Sequence, residues 1–164
     1  MVIFTQCVLL VLLMCVLTYE ILIAIEFVRL HRGEVPFVAS TTPLIETVIA
    51  VDVLPKDGMI LDLGCGDGKA LRMMERAGYR GPLIGYEYAP YPWVLSMLIG
   101  LFAPTRVKIR RANFLQAPLE DAKGLYVFLL PDVLATLAPK LSSRLSPGTV
   151  VVSAEFEITG WIPE

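Results

Sequence analysis

Met59-Ile60-Leu61-Asp62-Leu63-Gly64-Cys65-Gly66-Asp67-Gly68-Lys69 is the stretch that decides the fold. Residues 59–63 form an apolar run of strand length, and glycine punctuation follows at once. From 69 to 77, Leu71, Met74 and Ala77 recur every three residues, which predicts a helix with one apolar face that ends at Gly78. Two glycine patterns fail on spacing. A P-loop needs glycine at 63 and Ser or Thr at 70, where Leu63 and Ala70 stand. A dinucleotide fingerprint needs its third glycine one residue later, where Lys69 stands. What remains is acidic-x-Gly-x-Gly-x-Gly between a strand and a helix.

The same alternation continues outward. Residues 83–87, 106–110, 125–130 and 149–153 read as further strands. Helices are expected at about 43–53, from Pro92 to about 102, and at 133–145, the last ended by Ser146-Pro147-Gly148. Continuous apolar strands alternating with helices predict an α/β domain with a parallel sheet covered on both faces. The strand at 106–110 turns Val107 and Ile109 to one side and Arg106, Lys108 and Arg110 to the other.

The 164-residue chain is 55% apolar and 18% charged, against roughly 45–50% and 25% for an ordinary soluble domain. Much of the excess lies in the first 28 residues. Residues 2–19 carry no charge and span about 27 Å as a helix. Apolar character resumes after Glu20 and reaches Val28. A cleaved signal or transit peptide would need basic residues early, and none precedes Arg29. We expect a retained transmembrane helix at 1–28, a juxtamembrane linker and cofactor-covering segment at 29–42, and a catalytic domain at 43–164. Arg29, His31 and Arg32 predict a single-pass membrane protein with its domain in the cytoplasm. The net charge of −2 argues against nucleic acid as partner. Cys7, Cys15 and Cys65 form no disulfide framework, and the lone His31 suggests no metal site.

The glycine turn resembles the first motif of class I S-adenosyl-L-methionine-dependent methyltransferases. More specific stretches are Pro36-Phe37-Val38-Ala39-Ser40-Thr41-Thr42, Gly85-Tyr86-Glu87-Tyr88-Ala89-Pro90 with Trp93, and Trp161-Ile162-Pro163-Glu164. These resemble the membrane-anchored lysine methyltransferases of the adenine nucleotide translocase and the ATP synthase c-subunit, with their prokaryotic relatives. The resemblance covers about 36–164 and implies a Rossmann-like sheet of order 3-2-1-4-5, S-adenosyl-L-methionine as cofactor, and a protein substrate, here expected to be a membrane protein. It implies that Thr41 and Thr42 lie near the cofactor's amino-acid end, that Asp62, Gly64, Cys65 and Gly66 hold it, and that Glu87 holds the ribose. Asn113-Phe114 stands where the family usually has an Asp near the adenine.

Chemically, glycines let backbone approach a ligand closely, and a carboxylate at Asp62 can accept from an ammonium. Each acid also has a plainer reading, Asp62 as a helix N-terminal acid and Glu87 as a solvated strand end. Leu129-Leu130-Pro131 resembles the lysine-methylating group rather than the Asn-Pro-Pro-Tyr type. Asp132 or Glu155 could orient the amine or take its proton. Asp132 reads equally as the N-cap of the next helix. Class I enzymes normally add an antiparallel strand pair after the fifth strand, and this sequence stops just past it. The edge at Val150, Val151 and Val152 is then expected to pair with a second copy, to be covered by a loop, or to mark a truncated chain. The rival functions are a non-catalytic module that binds the cofactor or a partner, and a methyltransferase for a lipid or small molecule.

Overall fold

A computed structural model of the chain describes residues 1–31 and 39–163. Half of the linker expected at 29–42, including Pro36-Phe37-Val38, lies outside the described residues. Two units divide the chain, Met1–Pro36 and Phe37–Glu164.

The first unit is one helix, α1 (Val2–His31). Its Ile3–Ile25 stretch is long and apolar enough to cross a membrane by length and composition. The Thr5 and Thr18 hydroxyls donate to the carbonyls of Met1 and Met14, at 3.0 and 2.7 Å, so these polar side chains are satisfied within the helix. The helix runs three residues past the expected 28, and His31 Nδ1 lies 3.0 Å from the Phe27 carbonyl.

The second unit runs α2 (Thr42–Val51), β1 (Ile60–Leu63), α3 (Lys69–Arg76), β2 (Leu83–Glu87), α4 (Pro90–Phe102), β3 (Lys108–Arg111), a short 3-10 turn (Phe114–Gln116), β4 (Gly124–Val127), α5 (Pro131–Arg144) and β5 (Val150–Ser153). The five strands form one parallel sheet of order β3-β2-β1-β4-β5, as expected. The expected fourth strand overran the observed one. β4 stops at Val127, and Pro131, which has no N–H to lose, opens α5 with Leu130 as its N-cap. Asp132 is therefore not the cap. It lies exposed in the first helical turn.

Strand side chains alternate between two cores. Leu61, Leu63, Ile84, Leu125 and Val127 pack with Leu134, Leu137 and Leu141 of α5. Ile60, Leu83 and Tyr126 pack with Ile45 and Val48 of α2 and Leu71 and Met74 of α3. Alternation puts Asp62 on the α2–α3 side, in register with Gly85 and Tyr126. Past β5, Ile158 is buried and Phe156 and Trp161 pack against the α5-side core. The Trp161 Nε1 donates to Ser142 Oγ at 3.2 Å.

Candidate active site

The site forms where ligands bind in open parallel sheets, beyond the carboxyl ends of the strands. The glycine turn leaves β1 with Gly64, Gly66 and Gly68 at φ of 80°, 58° and 80°, which favours glycine at each. The Gly64 and Cys65 amides both donate to the Tyr86 carbonyl, at 2.9 and 3.1 Å. The Lys69 amide donates to Asp67 Oδ1 at 3.0 Å and starts α3. Gly85 makes the turn's inner wall possible. A Cβ there would lie 2.4 Å from Cys65 Sγ. Burial pushes the Cys65 thiol up, so it is not a nucleophile at neutral pH.

Glu87 is buried, not a solvated strand end. Its Oε2 accepts from the Gly66 amide at 2.9 Å and its Oε1 from the Ala89 amide at 2.6 Å. The carboxylate thus braces the turn from β2. Asp62 is 3% exposed. Among the described residues it makes no hydrogen bond or ion pair, while it faces a small cleft. Burial, with the charges of Glu87 and Asp67, holds its carboxyl well above the ordinary value.

The cleft is lined by Ser40, Asp62, Gly64, Gly66, Lys69 and Tyr126, among others. Its cavity of about 20 Å³ holds about one water. Ser40 closes it. The Ser40 hydroxyl accepts from Tyr126 OH at 3.2 Å, and its carbonyl accepts from Lys69 Nζ at 3.3 Å. Thr41 and Thr42 do not line it. Thr41 is the exposed N-cap of α2, and Thr42 lines a separate groove along α2 and α3. Asn113 caps the 3-10 turn, its Oδ1 accepting from the Leu115 amide at 2.9 Å, and Phe114 packs against the α5-side core. Sequence reading missed Ser40, Lys69 and Tyr126. The strand register opposite Asp62 was the available signal for Tyr126.

A model of the ANTKMT methyltransferase domain matches residues 62–164. The protein-lysine N-methyltransferase of Saccharolobus islandicus is 31% identical over 132 residues, covering 79% of this chain and 82% of that protein. The chain belongs to the ANTKMT methyltransferase-domain family. The mouse adenine nucleotide translocase lysine N-methyltransferase is 32% identical over 134 residues, 80% of this chain but 58% of the mouse protein. A solved RNA methyltransferase from Salinibacter ruber, in complex with S-adenosyl-L-homocysteine, superposes with a TM-score of 0.71 at 27% identity, covering 77% of this chain and 84% of that one.

The cofactor of this methyltransferase is S-adenosyl-L-methionine. The donor set fits it. A partnerless buried carboxylate faces the cleft, and a cationic ammonium would satisfy it. Glu87 takes the Gly66 amide, so that N–H is not turned to a pyrophosphate.

Proposed function

We propose that the chain is a membrane-anchored protein-lysine N-methyltransferase acting on a membrane protein. The observation that carries this reading is the buried, unpaired Asp62 beside the glycine turn, in a chain 31% identical to a protein-lysine N-methyltransferase over most of both lengths. The apolar Ile3–Ile25 helix supports anchoring, and the positive residues after it favour a cytoplasmic domain. An anchor raises the effective concentration of a membrane substrate.

In this reading Asp62 receives the cofactor's ammonium, and Gly64, Cys65 and Gly66 let its chain pass close to the backbone. Glu87 meets the ribose hydroxyls while it braces the turn. Asn113 and Phe114 flank the adenine. Ser40 shifts to admit the molecule, because its present position leaves room for only about one water. Bound S-adenosyl-L-methionine supplies an electrophilic methyl group on a sulfonium.

The chain's task is to present a neutral amine in line with that methyl, about 3–3.5 Å away. Two carboxylates follow the strands at this end of the sheet. Asp132 lies in the first turn of α5, and Glu155 lies just past β5 at a φ of 69°. Burial first, then the charges of Asp62 and Glu155, push the Tyr126 phenol up to about 12. The left-handed backbone at Glu155 costs a residue with a side chain, and such strain clusters at functional sites, so we assign Glu155 the orienting role ahead of Asp132.

The test is a radiolabelled methyl donor incubated with the chain and a membrane extract. A labelled band that protease removes and ribonuclease spares, and that Glu87→Ala abolishes, is the expected result. Equal labelling by the variant overturns the site. Label lost to ribonuclease would instead indicate an RNA substrate, in line with the name of the Salinibacter ruber protein.

A further inference from the structure

Helix α4 has an unusual solvent face. Its sequence, Pro-Tyr-Pro-Trp-Val-Leu-Ser-Met-Leu-Ile-Gly-Leu-Phe, contains no charged residue. Pro92 and Ser96 are its buried positions. On the opposite side Met97, Leu98, Leu101 and Phe102 form one exposed stripe, with Leu101 at 74% and Phe102 at 83% exposure. A helix apolar all round is normally buried or in lipid, and soluble monomers rarely show such contiguous patches without a purpose. At 13 residues it is about 20 Å long, too short to cross a bilayer core of about 30 Å.

The strand beside it is basic. α4 packs over β2 and β3, and the β3 edge exposes Arg111 on the α4 side, with Lys108 and Arg110 on the other face of the same edge, in register with Ile84 and Tyr86 of the α5-side core. Among the described residues none of the three is ion-paired with a carboxylate. The Arg111 guanidinium lies 5.4 Å from the centre of the Trp93 ring on α4, so cationic and aromatic groups meet at the root of the apolar stripe. Apolar residues flanked by unpaired cations and an aromatic ring are the composition of helices that lie in the headgroup region of anionic bilayers.

We infer that the exposed face of α4, with the basic edge of β3, docks on an anionic phospholipid surface. A second copy fits less well. A two-fold contact through this patch would bring the Arg111 guanidinium of both chains together without a carboxylate to answer them. The inference rests on the anchoring proposed above only for the domain's nearness to a bilayer.

The test uses the full chain carrying Trp93→Phe and Trp161→Phe, reconstituted into phosphatidylcholine vesicles with or without phosphatidylglycerol and with brominated acyl chains. A single tryptophan is then introduced as Phe102→Trp, Val11→Trp or Ala135→Trp. Position 102 is mostly exposed, and Ala135 is an exposed residue of α5 on the opposite face of the sheet. Phe102→Trp should lose more than half its emission to the bromines, more strongly with phosphatidylglycerol, and Arg111→Glu should restore it. Ala135→Trp should stay bright. Quenching at Val11 without quenching at 102 overturns the docking and leaves the anchor standing. Quenching at neither overturns both, and quenching at 102 alone supports docking without the anchor. Equal quenching at 135, or a blue shift at 102 that depends on protein concentration and not on lipid, also overturns it.

Discussion

Glu87 Oε2 accepts the amide hydrogen of Gly66 at 2.9 Å, joining the end of β2 to the centre of the glycine turn. The other oxygen takes the Ala89 amide at 2.6 Å. One side chain therefore shapes the turn and, in the proposed reading, also meets the ribose. Removing it should weaken cofactor binding and loosen the turn together. A charge-assisted hydrogen bond is worth about 1.5–3 kcal/mol, so Glu87→Ala should weaken S-adenosyl-L-methionine binding by at least about 10- to 100-fold. Titration calorimetry measures it, and unchanged affinity would remove Glu87 from the site.

Asp62 gives a pH signature. Burial first, then the Glu87 and Asp67 charges, raises its folded pKa well above 3.8. The folded chain thus holds this proton more tightly than the unfolded chain. The stability Asp62 contributes is complete below about pH 4 and is lost as pH rises through the raised folded value. Asp62→Asn, which mimics the protonated form, should match the parent's melting temperature near pH 4 and exceed it at neutral pH. The same variant should lose cofactor affinity. In the parent, cofactor binding favours the ionised form and should release protons, seen as buffer-dependent binding enthalpy. A melting-temperature difference that does not change with pH would contradict this.

How far the sequence revealed this site depends on the kind of contact. Asp62 and the glycines were readable because a turn this tight restricts residue type locally. Glu87 was readable because it ends an apolar strand at a set distance beyond them. The parallel sheet followed from alternation and apolar runs, and its strand order from the family resemblance. The meeting of Ser40 with Tyr126 was not readable, since their hydroxyls come together across 86 residues. Thr41 and Thr42 looked equivalent to Ser40 in sequence. Only the start of α2 at Thr42 separates a cleft-lining residue from its exposed neighbours. Arg72 read as an ordinary helix residue, yet it is buried.

Arg72 yields a stability prediction. Its Nη2 donates to the Ser96 carbonyl at 2.7 Å, and its Nη1 donates to the Asp67 carbonyl. It therefore ties the glycine turn to α4. Arg72→Ala removes both hydrogen bonds, at a cost of about 1–3 kcal/mol each. Urea unfolding should show a loss of about 2–6 kcal/mol over the two. Arg72→Lys should recover only part of it, because one ammonium cannot reproduce the guanidinium fork. Full recovery by lysine would show that charge alone matters at this position.

Glu155 separates catalysis from folding most sharply. It holds a φ of 69°, a conformation that costs a side-chain-bearing residue but not glycine. Glu155→Gly removes the carboxylate and relieves the backbone in one change. The variant should be at least as stable as the parent and should bind S-adenosyl-L-methionine unchanged, because Asp62 and Glu87 are intact. Its kcat on a lysine substrate should fall by about 10²-fold or more, the contribution typical of a positioned acid–base group. Glu155→Gln, which keeps the shape and loses the charge, should fall similarly. Asp132→Asn should change kcat by only a few-fold. Single-turnover methylation with saturating cofactor measures all three. A large loss at Asp132 beside full activity at Glu155 would exchange their roles.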